Sequence, residues 1–262
     1  MTNFLKNQNI LADLIFNTTG IDIKRVENSN NFFTKEFERI QSHHQYNYET
    51  YWDHLIYTNY FLSQFQKIKF FNTKDFNQYL NKLSIDNINL RGEKFEILTY
   101  ARLIDNKISF SKPKENPDFK IDFNNDTIYV ECGTRQTDKT GYYIESLVDS
   151  ILKKDELGKK QGYSNQNTAL HIEITKTFFN SLKDENPLTN DTLIDILHTT
   201  IAKVSFGAVV FITTFYSKEN GIVYGNPLVQ YNNDVNKNII KFHEIIFNLK
   251  SLQATPVFKK FM

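Results

Sequence analysis

The sequence predicts an α/β protein, with a mixed central sheet flanked by helices and a helical region before it. One observation is residues 116–135, where apolar and polar residues alternate on either side of a turn signal, as in a β-hairpin. Another is the order of elements from residue 86 onward, which reads helix, hairpin, helix, strand, helix, strand and helix. Strands that alternate with helices in this way are typical of a sheet covered by helices on both faces.

Composition narrows the class of protein. The chain has 262 residues, 40% of them hydrophobic, and a formal net charge of +1. With so small a charge, any contact with nucleic acid would rest on local patches rather than on the whole surface. A single cysteine excludes an internal disulfide and favours a reducing compartment, and the first residues show no apolar run typical of a signal peptide. We therefore expect a cytoplasmic protein without a membrane partner.

Residues 1–85 are expected to be mostly helical, and residues 86–262 to form the α/β domain. Aromatic side chains are concentrated in residues 48–71, a pattern typical of a helix that packs in a core or against a neighbouring domain. An interaction surface is the alternative interpretation of this aromatic segment.

A further helix is predicted from Asp86 to about Ile104. It carries Glu93 and Glu96, and Glu96 shares a helical face with Tyr100. A carboxylate among apolar neighbours would point inward, whereas exposure to solvent is the commoner position for a glutamate. The sequence is compatible with both positions.

The hairpin carries the clearest chemical signal. Asn124, Asn125 and Asp126 supply the turn, because these side chains tolerate left-handed backbone and form local hydrogen bonds. Strict alternation sends the apolar residues to one face of the sheet and places Asp118 and Glu131 on the other. Two carboxylates on neighbouring strands are suited to hold a hard divalent cation through oxygen ligands.

The chain after the hairpin supplies the remaining layers. Residues 143–160 are predicted as a helix, and lysines near its C-terminal end suit the helix dipole. A short strand is predicted at 107–110, before the hairpin. After it, strands are predicted at 169–175 and 206–215, with helical pieces between them, and a final helix at 237–252. The lysines of the helix predicted at 143–160 are Lys153, Lys154, Lys159 and Lys160.

The chain has, in order, a helix with a glutamate, Pro117-Asp118 opening one strand, V-E-C in the next strand, a helix and an apolar strand. This arrangement resembles the PD-(D/E)xK nuclease superfamily. The resemblance covers about residues 86–215. It implies a restriction-endonuclease-like fold and a Mg²⁺-dependent endonuclease, with Mn²⁺ as a substitute, that hydrolyses phosphodiester bonds in DNA. It also implies a restriction or phage-defence role, in which the N-terminal region recognises DNA or forms a homodimer.

The resemblance implies roles for particular residues. Asp118 and Glu131 would bind the metal directly, and the carbonyl oxygen of Cys132 would be a third ligand. Glu96, or else Glu93, would be the helix carboxylate that binds the metal directly or through water. Metal ions held in this way stabilise charge on a phosphate and activate a water.

Gly133 departs from the family pattern, because the family's lysine falls two residues after the second acid. A glycine cannot orient a water or neutralise developing charge, so the resemblance requires another residue for this role. We favour Lys160. The other candidates are Lys159, Lys139, Arg135 and Gln136, and Gln161 and Tyr163 lie where some members carry a Gln or Tyr near the substrate.

The same glycine favours a second interpretation, a catalytically inactive nuclease-like module that binds nucleic acid or protein. A third is an unrelated α/β domain, in which Asp118 merely begins a strand and Glu131 faces solvent.

Overall fold

The computed structural model describes residues 2–25, 31–46, 48–84, 90–135, 141–217 and 222–248. The chain divides into two compact units, Met1–Ile104 with Thr214–Gly225, and Asp105–Thr213 with Asn226–Met262. The sequence predicts a boundary at residue 86, whereas the helix that carries Glu96 belongs to the first unit, the helical unit, and not to the second, the α/β unit. No helix among the described residues is long and apolar enough to cross a membrane.

The elements follow the predicted order, with one added strand. The helices are α1 (Thr2–Thr19), α2 (Phe32–Tyr46), α3 (Tyr48–Phe71), α4 (Thr73–Ser84), α5 (Leu90–Asp105), α6 (Tyr143–Gln161), α7 (Thr175–Ser181), α8 (Asn190–Ile201) and α9 (Lys237–Ile246). The strands are β1 (Ser109–Ser111), β2 (Phe119–Phe123), β3 (Asp126–Thr134), β4 (Thr168–Glu173), β5 (Ala208–Ser217) and β6 (Ile222–Tyr231).

The helical unit has an aromatic core, supplied largely by the segment that the sequence singled out. Phe61 and Phe65 of α3 are at most 1% exposed, and their rings stack with centroids 6.0 Å apart. Phe33 of α2 stacks on Phe65 in turn. Burial of such large rings is a main source of stability in a helical assembly, and the prediction of a mostly helical N-terminal region is confirmed.

One six-stranded sheet has the order β1-β2-β3-β4-β5-β6. Strands β1 to β3 pair antiparallel, whereas β3, β4 and β5 pair parallel. The predicted mixed α/β sheet is therefore confirmed. A parallel pair requires a crossover connection, and α6 is the crossover between β3 and β4.

The hairpin has the geometry that its sequence predicted. Asn124 and Asn125 have φ angles of 52° and 61°, the left-handed backbone that a two-residue hairpin turn requires and that asparagine tolerates. The register pairs Phe119 with Val130 and Ile121 with Ile128, and all four side chains are fully buried. The apolar face of the hairpin thus lies in the core.

Strand β6 was not predicted. Its sequence contains Gly225, Asn226 and Pro227, which interrupt the alternation that marks a strand. Because β6 lies at the end of the strand order, it needs hydrogen-bond donors on one side only, and a proline is tolerated there.

Helix α9 packs on strand β4 through a buried pair of histidines. The Nε2 atoms of His171 on β4 and His243 on α9 lie 3.0 Å apart, and both side chains are fully buried. The Nδ1 atom of His243 lies 3.3 Å from the hydroxyl of Tyr231. Burial lowers the pKa of His243 from 6.5 to about 3, so this imidazole is neutral in the folded protein.

The lowered pKa predicts how stability depends on pH. The unfolded chain binds a proton on residue 243 below pH 6.5 and the fold does not, so stability falls as pH drops from about 6.5 toward 3. In urea titrations, the stability advantage of the wild type over His243→Gln should shrink by about 1.4 kcal/mol per pH unit between about pH 6 and 4. It should be constant between about pH 7.5 and 8.5. An advantage that stays constant across the acid range would contradict a buried neutral imidazole.

Candidate active site

Asp118, the residue directly before β2, lies opposite Glu131 of β3. The register pairs Phe119 with Val130, so the next positions outward are Asp118 and Glu131, whose side chains share a face. One Asp118 oxygen, Oδ2, accepts a 2.7 Å hydrogen bond from the backbone N–H of Cys132. Asp118 is half-buried, whereas Glu131 is only 1% exposed. The hairpin thus holds two carboxylates at one point of the sheet, as predicted.

A lysine from the crossover helix completes this cluster. The ammonium of Lys154 on α6 forms an ion pair with Glu131 Oε1 and donates to the carbonyl oxygen of Cys132 at 3.3 Å. Burial by itself would lower the pKa of Lys154, but the charges of Glu131 and Asp118 outweigh it and raise this pKa above its ordinary value. Lys154 therefore stays protonated at neutral pH.

The side chain of Lys154 passes beside Gly133 on its way to the acids. Residues 131 and 133 of β3 point to the same face because strand side chains alternate. A Cβ atom at Gly133 would lie 3.6 Å from Lys154 Cε, in ordinary van der Waals contact. The stem of Lys154 thus passes next to residue 133, on the face of β3 that carries Glu131.

Tyr163 adds a buried hydroxyl beside the acids. Burial, followed by the charges of Glu131 and Asp118, raises the pKa of Tyr163 well above its ordinary value, so the phenol stays protonated. A Cβ atom at Gly158 of α6 would lie 3.0 Å from the Tyr163 ring and 2.8 Å from Ser164 Cβ. Glycine at position 158 therefore permits the close approach that keeps Tyr163 against the helix.

The candidates that the sequence offered in place of the missing lysine are exposed or have other partners, where the structure describes them. Lys160 is exposed on α6. Lys159 forms a 2.6 Å ion pair with the buried Asp155, and Arg135 donates a 2.6 Å hydrogen bond from Nε to Ser146. Gln161 is exposed, where its Oε1 accepts from Asn116 at 3.1 Å. Lys139 and Gln136 lie outside the described residues. Lys154, rather than Lys160, is the lysine that contacts Glu131.

The two candidate helix acids differ in environment. Glu96 is 7% exposed and accepts a 2.6 Å hydrogen bond from the hydroxyl of Tyr79 on α4. Glu93 forms a 3.0 Å ion pair with Lys82. The sequence is compatible with an inward or a solvent-exposed Glu96, and in the structure Glu96 points inward. Its partner, the Tyr79 hydroxyl, belongs to the helical unit.

Helical periodicity contains a signal that would have identified Lys154. Leu147 and Ile151 are fully buried on α6, and Lys154 lies seven and three residues after them, on the same face. Lys160 lies nine residues, or two and a half turns, after Ile151, so it lies on the opposite face of the helix. The explanation of these lysines through the helix dipole did not separate the two faces.

The oxygen atoms of the cluster are of the type that Mg²⁺ prefers. Two carboxylates and a backbone carbonyl are hard ligands, and Mg²⁺ commonly takes only one or two carboxylates, with water and substrate phosphate completing its shell. No group of three or more His, Cys, Asp or Glu side chains arranged to hold a metal occurs among the described residues. Two carboxylates and one carbonyl oxygen would leave about half of an octahedral shell to water or to another ligand.

Comparison of the chain with protein-family models, curated proteins and solved structures gave no match. A proposal about function therefore rests on the residues of the cluster, on their geometry and on the resemblance in sequence pattern.

The ion pair predicts a stability difference between two lysines of one helix. Lys154→Met leaves Glu131 buried without its cation and should lower the free energy of unfolding by about 2–3 kcal/mol in metal-free buffer. Lys160→Met, the matched control, should change it by less than about 0.5 kcal/mol. The double variant Glu131→Gln/Lys154→Met should recover most of the loss, because both charges are gone. Equal urea midpoints for the two single lysine variants would rule the ion pair out as a stabilising contact.

Proposed function

We propose that this protein is a Mg²⁺-dependent endonuclease that hydrolyses phosphodiester bonds in DNA, on a restriction-endonuclease-like fold in the cytoplasm. The observation that supports it is the convergence of Asp118, Glu131 and Lys154 at one point of the sheet. Two carboxylates and a lysine are the groups that the superfamily resemblance requires, although the lysine comes from a helix. A restriction or phage-defence role rests on the resemblance alone.

Each residue of the cluster has a role that its environment favours. Asp118, Glu131 and the Cys132 carbonyl would hold Mg²⁺, with Mn²⁺ as a substitute. The bound metal would supply charge stabilisation on the phosphate and a water of lowered pKa. The ammonium of Lys154, which stays charged because of the neighbouring acids, would offset negative charge that develops on the phosphate oxygens.

A second candidate function is a catalytically inactive module that binds nucleic acid. The observation in its favour is that Lys154 already supplies a cation to Glu131, while the described residues contain no closed metal cage. Binding of DNA that persists in EDTA, without cleavage in any divalent metal, would select this function. A steep loss of affinity with rising salt would then identify phosphate contacts.

Substitution of the cluster should abolish cleavage. With supercoiled plasmid and Mg²⁺ or Mn²⁺, Asp118→Asn, Glu131→Gln and Lys154→Met should each cut at least about a hundredfold more slowly than the wild type, because each removes a charged group next to the reacting phosphate. Lys160→Met should cut at the wild-type rate. Cleavage at one common rate by all five proteins would refute the assignment of the site.

A lysine returned to the strand should compensate for the loss of the helix lysine. Positions 131 and 133 share a face, and the nearest neighbours of a Cβ at Gly133 are at 3.6–3.9 Å, so the side chain of Gly133→Lys would point at the cluster. Gly133→Lys/Lys154→Ala should cut about tenfold or more faster than Lys154→Ala, since it restores the charge at the phosphate. The control Gly133→Met/Lys154→Ala should show no recovery. Equal rates for both double variants would mean that the lysine charge has no role.

A further inference from the structure

The ammonium of Lys154 lies on two of the oxygens that the proposed metal would need. It pairs with Glu131 Oε1 and lies 3.3 Å from the carbonyl oxygen of Cys132. Both are ligand atoms in the proposed site, and in this structure a cation that belongs to the chain itself satisfies them. The cluster can therefore be occupied by a tethered monovalent cation or by a free divalent one.

The two occupants exclude each other on these oxygens. Mg²⁺ requires contacts of about 2.0–2.1 Å in a near-octahedral arrangement, whereas the lysine already donates its N–H groups to the same two oxygens. Like charges this close repel strongly in a partly buried setting. The Lys154 side chain is 29% exposed and can move toward solvent, whereas the Glu131 side chain is 1% exposed and is fixed on the strand.

We infer that Lys154 is a tethered competitor of the metal, and that binding of a divalent cation displaces its ammonium from Glu131 and Cys132. This inference rests on the proposed function, since it concerns the same metal site. Lys154 would then have two positions, one on the ligand oxygens without metal and one beside the phosphate with metal. Such an exchange keeps Glu131 neutralised at every stage and makes the release of the lysine depend on metal.

Removal of the competitor should tighten metal binding. In calorimetric titrations with Mn²⁺, Lys154→Met and Lys154→Gln should bind the ion about tenfold more tightly than the wild type, because no ammonium has to leave. The glutamine variant retains an amide donor for Glu131 and covers the case in which the methionine variant does not fold. Lys160→Met should bind like the wild type, and Glu131→Gln should bind far more weakly.

A second measurement uses the wild-type chain alone. Reductive methylation followed by mass spectrometry should label Lys154 slowly in EDTA and several-fold faster in Mg²⁺, with exposed Lys160 as the internal reference. Unchanged or slower labelling of Lys154 in Mg²⁺, or Mn²⁺ affinity that is equal or weaker in both Lys154 variants, would overturn the competition.

The two proposals fail in different ways. If the wild type cuts plasmid and binds Mn²⁺ but the Lys154 variants bind no more tightly, only the competition is wrong. If neither the wild type nor the Lys154 variants bind Mn²⁺ and none cuts, the proposed function is wrong and the inference falls with it.

Discussion

The ion pair between Lys154 and Glu131 is the interaction on which the candidate site depends. Glu131 lies on an inner strand with β2 on one side and β4 on the other, and it is almost fully buried. A buried carboxylate without a cation costs several kcal/mol, and the strand cannot turn it toward solvent without breaking two ladders. An ionised Glu131 therefore needs a cation at this point, and in the chain by itself this cation is the ammonium from α6.

Two features of the topology bring the cluster together. The Asn124-Asn125 turn fixes the register of β2 on β3, which sets Asp118 opposite Glu131 although 13 positions separate them. The parallel pairing of β3 with β4 requires a crossover, and α6 supplies it. The acids are thus aligned by a local turn, whereas the lysine depends on how a helix packs over the sheet.

This difference explains what the sequence could predict. The hairpin and its two acids follow from a period of two and a turn signal, both local, and both are confirmed. Lys154 depends on a partner 23 residues away, and a lysine on the buried side of a helix runs against the general preference of lysine for solvent. Strand β6 was missed because Pro227 breaks its pattern, and only the position of β6 at the sheet edge makes that proline acceptable.

Formal charge separates the two functions proposed for the cluster. With both carboxylates ionised, Asp118, Glu131 and Lys154 together carry one negative charge, since two negative groups face one positive group. Such a cluster repels a phosphate, so a metal-free binding module would need its phosphate contacts elsewhere on the chain. A divalent cation reverses the sign to one positive charge, and the phosphate then becomes the favoured partner. In the proposed function, the same three residues would therefore bind a phosphodiester only together with metal, which is the condition that a metal-dependent nuclease requires.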